Sequence, residues 1–113
     1  MLEKEIERKL IKGVHLIGGR AFKFVSPGND GVPDRIVVLP GGRIIFVELK
    51  TETGKLASRQ KIQQKSLTRL GCEVWTLWGE EDVKKFLAYL QEGGGPDGVQ
   101  AARLSEAGCF FYP

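Results

Sequence analysis

Two short stretches of this chain carry residues whose types and spacing could do chemistry: Pro33-Asp34 and Glu48-Leu49-Lys50. Between them lie an apolar run (Ile36, Val37, Val38, Leu39), a turn (Pro40-Gly41-Gly42-Arg43) and a second apolar run (Ile44, Ile45, Phe46, Val47). That pattern predicts two paired antiparallel strands, which would bring Asp34 and Glu48 together in space. Side chains alternate along a strand, so Glu48 and Lys50 point to one face while Val47 and Leu49 point to the other. Mg²⁺ asks for hard oxygen ligands in near-octahedral geometry and keeps several waters, so two carboxylates and a main-chain carbonyl make a suitable cradle. The neighbouring lysine would orient or deprotonate a water. Each residue also has a plainer reading. Asp34 could simply complete a turn after Pro33, and Glu48 and Lys50 could be a solvated ion pair on an edge strand. The unbroken apolar run Ile44 to Val47 argues for a strand covered on both faces, and a carboxylate at the end of such a strand needs a partner.

The elements that must position these residues follow from the pattern around them. Ile6, Leu10, Val14 and Ile17 recur at helical spacing among Glu, Lys and Arg, which predicts an amphipathic first helix ending at Gly18-Gly19. Ala21 to Val25 reads as a short strand, followed by a loop of turn formers, Ser26 to Gly31, that leads into Pro33-Asp34. After Lys50 a turn precedes Ser58, the expected N-cap of a helix that carries Ile62, Leu67 and Leu70 inward and closes at Gly71. Cys72 to Trp78 is a further strand, and Glu80 to Leu90 a last helix with Val83, Phe86, Leu87 and Leu90 inward. The expected order is α-β-β-β-α-β-α.

With these residues in place, the chain resembles the PD-(D/E)XK nuclease superfamily and, within it, the small VRR-Nuc (virus-type replication-repair nuclease) domains. The resemblance covers roughly residues 1 to 90 and rests on an acidic helix start, Gly18-Gly19, Lys23, Gly31-x-Pro33-Asp34-Arg35, Glu48-Leu49-Lys50, Gly54-x-Leu56 and Gln60. It implies a restriction-endonuclease-like α/β core, a mixed β-sheet flanked by helices. It also implies a Mg²⁺-dependent endonuclease acting on DNA, Mn²⁺ serving as a substitute, with the metal held by Asp34, Glu48 and the carbonyl of Leu49, and Lys50 serving the water. In the family a glutamate from the first helix completes the metal site. Here Glu3, Glu5 and Glu7 compete; Glu3 stands on the inward side and opens the helix, Glu7 follows one turn later on the same side, and Glu3 is the expected ligand. Solvated helix-start acids are the plainer reading of all three.

The resemblance also implies that Gln60 contacts the active site and that Lys23 sits near the phosphate path; an exposed amide and a solvated strand lysine are their ordinary alternatives. Arg35 should point away from Asp34, which leaves it a phosphate contact at the strand entrance. Lys61, Lys65 and Arg69 recur every four residues and form a basic stripe that could follow a nucleic-acid backbone or merely be a solvated face. Trp75 and Trp78 read as core and rim. His15, the single histidine, has no partner in sequence and no assigned role.

Composition sets the outer bounds. A length of 113 residues with 42% hydrophobic content fits one domain with a modest core. No stretch approaches the roughly 20 apolar residues of a membrane helix, and the charged amphipathic start is unlike a signal peptide, so a cytoplasmic location in a bacterial or phage-infected cell is expected. Cys72 and Cys109 lack metal-type spacing and read as unpaired thiols. Net charge is +3, with −1 on residues 93–113 and hence +4 on residues 1–92, a mild bias toward a polyanion. Residues 1–92 are expected to form the nuclease domain. Residues 93–113 divide into a Gly-rich linker and an apolar ending, Cys109 to Pro113, suited to packing on the body or a second subunit. Pro96-Asp97, set among glycines with no apolar strand after it, is a decoy of the Pro33-Asp34 signature. Stand-alone relatives of this kind resemble Holliday-junction resolvases and come from phages, so branched DNA and a homodimer are the expected partners. A general or nicking nuclease, or an inactive nucleic-acid-binding module, are the rival expectations.

Overall fold

A computed structural model describes residues 2–94, and within them the elements run α1 (Glu3–Leu16), β1 (Arg20–Lys23), β2 (Arg35–Val38), β3 (Ile44–Lys50), α2 (Ser58–Arg69), β4 (Glu73–Trp78) and α3 (Gly79–Gln91). This is the expected order; of the linker and apolar ending expected over residues 93–113, all but Gly93 and Gly94 lie outside the described residues. One four-stranded sheet has the order β1-β2-β3-β4. The first two pairings are antiparallel, and β3 pairs with β4 in parallel, the crossover being made by α2. The mixed α/β architecture follows from that one parallel step.

Strand alternation sorts the sheet into two unlike faces. Val37, Ile45, Val47, Leu49, Trp75 and Leu77 point to the side occupied by α1 and α3, where they meet Ile6, Leu10, Val14, Val83 and Phe86 in a single buried cluster. The four-residue recurrence of Ile6, Leu10 and Val14 is what gives α1 its buried stripe. Trp75 is completely buried, with Phe86 edge-on at 5.0 Å and Tyr89 at 5.6 Å between ring centroids. Its indole N–H donates to Glu73 Oε2 at 3.0 Å. Glu73 in turn accepts two bonds from Arg43, at 3.0 and 2.7 Å, a bidentate pair that ties the β2–β3 turn to the start of β4.

The opposite face is covered by α2, and here the structure corrects the expected packing. Ile62 and Leu70 are 64% and 78% exposed, while the residues that α2 buries are Gln64 and Thr68. Gln64 donates to Thr76 Oγ1 at 2.7 Å, and Thr68 donates to the Gln64 carbonyl at 2.8 Å. The strand surface beneath α2 presents a threonine, so a glutamine amide that bonds to it buries at less cost than a leucine that leaves it unsatisfied, while the Thr68 hydroxyl is satisfied within the helix by the Gln64 carbonyl. The expectation that Ile44 to Val47 is covered on both faces holds only in part. Ile44 is exposed and Phe46 half-buried, whereas Val47, Glu48 and Leu49 are buried, because α2 leaves the early part of β3 open and covers the end that carries Glu48.

Candidate active site

Pairing of β2 with β3 sets Arg35 opposite Val47, so one step further along the same register Asp34 faces Glu48. Asp34 Oδ1 accepts the Leu49 N–H at 3.2 Å, which fixes the carboxylate against β3. Glu48 is only 6% exposed and shares its face of the sheet with Lys50, whose Nζ stands 3.8 Å from Glu48 Oε2. The sequence-derived trio of Asp34, Glu48 and Lys50 therefore meets at one end of the sheet.

Gln60 joins them from α2. Its side-chain carbonyl accepts the Ala57 N–H at 2.8 Å, capping the helix start, and its amide donates to Glu48 Oε2 at 3.0 Å. The expected N-cap Ser58 lies inside the first turn instead; Ala57 occupies the cap and Gln60, three residues on, supplies the oxygen. The glutamine thus fixes both the helix start and one carboxylate oxygen. The loop carrying Asp34 is seated on this same turn by Gly31. Its φ is +92°, and a Cβ there would fall 2.6 to 2.8 Å from the Arg59 carbonyl group and the Gln60 nitrogen, so only glycine allows the approach. Arg59 and Asp30 close the contact with an exposed ion pair at 2.5 Å. Sequence alone marked Gly31 as part of the signature without showing this role, because a glycine reports permission for close approach and not the identity of the neighbour.

The electrostatics describe a pair of carboxylates short of positive charge. Burial pushes Asp34 up to about 6, assisted by the negative charge of Glu3, while the Leu49 N–H and Lys50 pull it down. Burial likewise raises Glu48 to about 8, with Asp34 and Glu3 adding repulsion that Lys50 only partly offsets. Ordinary values are 3.8 and 4.5. A divalent cation fits this donor set: two hard carboxylates, dehydrated and under-neutralised. Among the described residues no group of three His, Cys, Asp or Glu side chains is close enough to enclose an ion. Glu3 is exposed on the first turn of α1, close enough to act on both carboxylates through its charge but outside such a cluster. The remaining ligand positions would fall to main-chain oxygen and water, as Mg²⁺ prefers.

Three other expectations resolve differently. Glu7, the alternative helix ligand, forms an ion pair with Arg35. Arg35 is 8% exposed, on the α1 side of β2, and burial lowers its pKa. A guanidinium committed to Glu7 beneath the helix has no path to a phosphate, so the expected DNA contact by Arg35 is corrected to a tie between α1 and the strand that carries Asp34. Lys23 pairs in register with Arg35 and therefore leaves the sheet on the α1 side, facing away from Asp34 and Glu48. Lys61, Lys65 and Arg69 are all exposed along α2. Trp75 is core as expected, and Trp78 is half-buried beside Lys50, its register partner.

A mixed sheet with this order, and an Asp and a Glu-x-Lys set facing each other at one strand end, define the restriction-endonuclease-like PD-(D/E)XK class. Similarity to known proteins narrows it. The chain is 49% identical over 85 residues to the "Putative nuclease p44" of Acyrthosiphon pisum secondary endosymbiont phage 1, covering 75% of this chain and 90% of that protein. A solved structure described as a VRR_NUC domain superposes with a TM-score of 0.72 at 27% identity, covering 77% of this chain and 95% of the other. Hjc of Archaeoglobus fulgidus, a Holliday junction resolvase, shares the fold at a TM-score of 0.51 and 19% identity over 67% of this chain and 62% of its own. No protein-family model matches the chain. The chain belongs to the VRR-Nuc domain family and is a nuclease of the PD-(D/E)XK superfamily.

Proposed function

We propose that the protein is a divalent-metal-dependent endodeoxyribonuclease that prefers branched DNA, acting as a homodimer in the cytoplasm of a bacterial or phage-infected cell. The nuclease domain is assigned to residues 1–92, and residues 93–113 to a linker and tail. The observation that carries the activity is the convergence of Asp34, Glu48 and Lys50 on one strand end, with Gln60 gripping Glu48. Asp34, Glu48 and the Leu49 carbonyl would hold Mg²⁺, or Mn²⁺ in its place, with Glu3 acting through an intervening water. A bound divalent ion supplies Lewis-acid polarisation of the scissile phosphate and an acidified water. Lys50 positions the attacking water, receives or relays its proton, and offsets charge that builds on the phosphoryl oxygens. Gln60 fixes Glu48 Oε2, the oxygen that also stands 3.8 Å from Lys50 Nζ, and so sets the position of the carboxylate relative to the lysine. Lys61 and Lys65, on the outer side of α2, are assigned to the DNA backbone.

Preference for branched DNA is supported by the fold shared with a Holliday junction resolvase. It is also supported by the small size of the described domain, which holds no separate element for reading bases. A two-fold dimer would bring two such sites to one junction. No helix among the described residues is long and apolar enough to cross a membrane.

The test is cleavage of a labelled four-way junction, its matched duplex and a single strand in Mg²⁺ or Mn²⁺. Faster cutting of the junction supports the structure-selective reading. Equal cutting of all three would replace it with a general nuclease, and binding without cutting would replace it with an inactive DNA-binding module.

A further inference from the structure

Beside the proposed catalytic cluster, on its β4 side, lies a recess of about 480 Å³ whose lining residues, Lys61 apart, have no part in the proposed cleavage. Trp78 forms one wall, Gly54 and Leu56 the adjoining loop, and Lys55, Lys61 and Glu52 the rim. Three observations set it apart from an ordinary surface dip. The first is its place. Trp78 is the register partner of Lys50 on adjacent strands, so it leaves the sheet on the same face, about 5 Å away at the backbone. Gly54 packs against the aliphatic stem of Lys50, an added Cβ lying 3.4 Å from two of its carbons. The second is rigidity. The Trp78 indole N–H donates to the Gly54 carbonyl at 2.7 Å, which holds the ring to the loop while part of its surface stays open to the recess. The third is charge. Lys55 and Lys61 are exposed at the rim, and Lys61 follows Gln60 directly on α2.

A fixed aromatic surface whose rim carries two ammonium groups against one carboxylate, Glu52, keeps a net positive edge and suits a single-stranded nucleotide: the ring stacks on the base and the lysines meet its phosphates. We infer that this recess is a base-stacking subsite for an unpaired nucleotide adjoining the scissile phosphate, with Trp78 as the platform and Lys55 and Lys61 on the flanking phosphates. The inference rests on the polynucleotide-cleaving function proposed above and deepens it. Stacking needs a base released from its own duplex stack, so the subsite favours strands that are frayed, single or at a branch, and it tolerates any base because every base offers a π-face.

The test compares two probes with the same backbone charge: a fluorescein-labelled dT 12-mer and a 12-residue abasic strand of tetrahydrofuran units. Both are titrated in EDTA with the full chain carrying Asp34→Asn, so that neither is cut. The dT strand is expected to bind tighter than the abasic strand and to quench tryptophan emission, which the abasic strand does not. Trp78→Leu should weaken dT binding by roughly 5- to 100-fold, toward the abasic value, and leave abasic binding unchanged. Trp78→Phe, which keeps a ring, should retain most of the preference, and its melting temperature guards against misfolding. Lys55→Ala with Lys61→Ala should weaken both probes alike and lower the salt dependence. Equal affinity of the wild-type site for both probes, or equal losses of both in a folded Trp78→Leu protein, would overturn the subsite. Failure of the nuclease reading is a separate result, since it appears only as absence of metal-dependent cutting by the unmodified chain.

Discussion

The two faces of the sheet are built by different physics. On the α1/α3 side the strands bury aliphatic and aromatic side chains against Ile6, Leu10, Val14 and Phe86. On the α2 side the buried contacts are polar: Gln64 with Thr76, Gln60 with Glu48, and Asp34 with the Leu49 N–H. One face holds the fold together, and the other holds buried carboxylates whose ionisation costs stability. Hydrophobic burial is non-directional and tolerates small displacements, whereas a carboxylate held by one amide has a defined position. A helix attached by hydrogen bonds can therefore aim a catalytic group more finely than one attached by leucines.

The contrast makes graded expectations. Lys50→Ala, on the polar face, should lower the cleavage rate by about 10²- to 10³-fold, a loss far larger than its effect on the melting temperature, because it removes a charge aimed at the reacting phosphate. Parallel rate measurements and thermal melts check this. Leu10→Ala, on the apolar face, should do the reverse. It should cost about 2–5 kcal/mol of stability by leaving a cavity, visible in urea unfolding, with cleavage per folded molecule unchanged. A large rate defect per folded molecule in Leu10→Ala would break the division between the faces.

The pH dependence sharpens it. In the metal-free protein Asp34 stands at about 6 and Glu48 at about 8, against 3.8 and 4.5 for the ordinary groups. Because the folded values are raised, the folded protein keeps protons that the unfolded chain has released. Stability is then full below about pH 4 and is lost as pH rises through 6 and 8. Melting temperature in EDTA should fall by roughly 5 °C or more between pH 5 and pH 9, Glu48→Gln should flatten that slope, and Mg²⁺ should restore the wild-type value at pH 9. A flat profile in EDTA would contradict the picture of an under-neutralised pair. The smallest effect belongs to Gln60→Ala, which removes a cap and a positioning bond. It should cost about 1 kcal/mol of stability and about tenfold in rate, and Gln60→Glu should recover the cap but not the bond to Glu48. Melts and single-turnover kinetics of the two variants separate those losses.

The apolar face was readable in the sequence because it follows the rules that periodicity measures. Ile6, Leu10 and Val14 recur every four residues, and the two runs flanking Pro40-Gly41-Gly42 pair as a hairpin. Asp34, Glu48 and Lys50 were readable because each sits at the end of such a strand, where alternation fixes its face. The polar face obeyed no such pattern. Ile62 and Leu70 looked inward by type, but the threonine at position 76, a separate strand away, decides what α2 buries. Arg35 was rightly turned away from Asp34. Its commitment to Glu7 depends on how α1 lies across β2, which no local spacing encodes.

Asp34 and Glu48 are proposed above all to form a metal site for cleavage. Cleavage of supercoiled plasmid or a four-way junction by wild type, Asp34→Ala and Glu48→Gln, each with EDTA or Mn²⁺ and each shown folded by its melt, tests it most directly. The expected result is cutting by wild type with Mn²⁺ only, losses of at least about 10³-fold in both variants, and melting temperatures in EDTA that are unchanged or higher. Cutting in EDTA, or a folded Glu48→Gln protein that cuts at the wild-type rate, would contradict it.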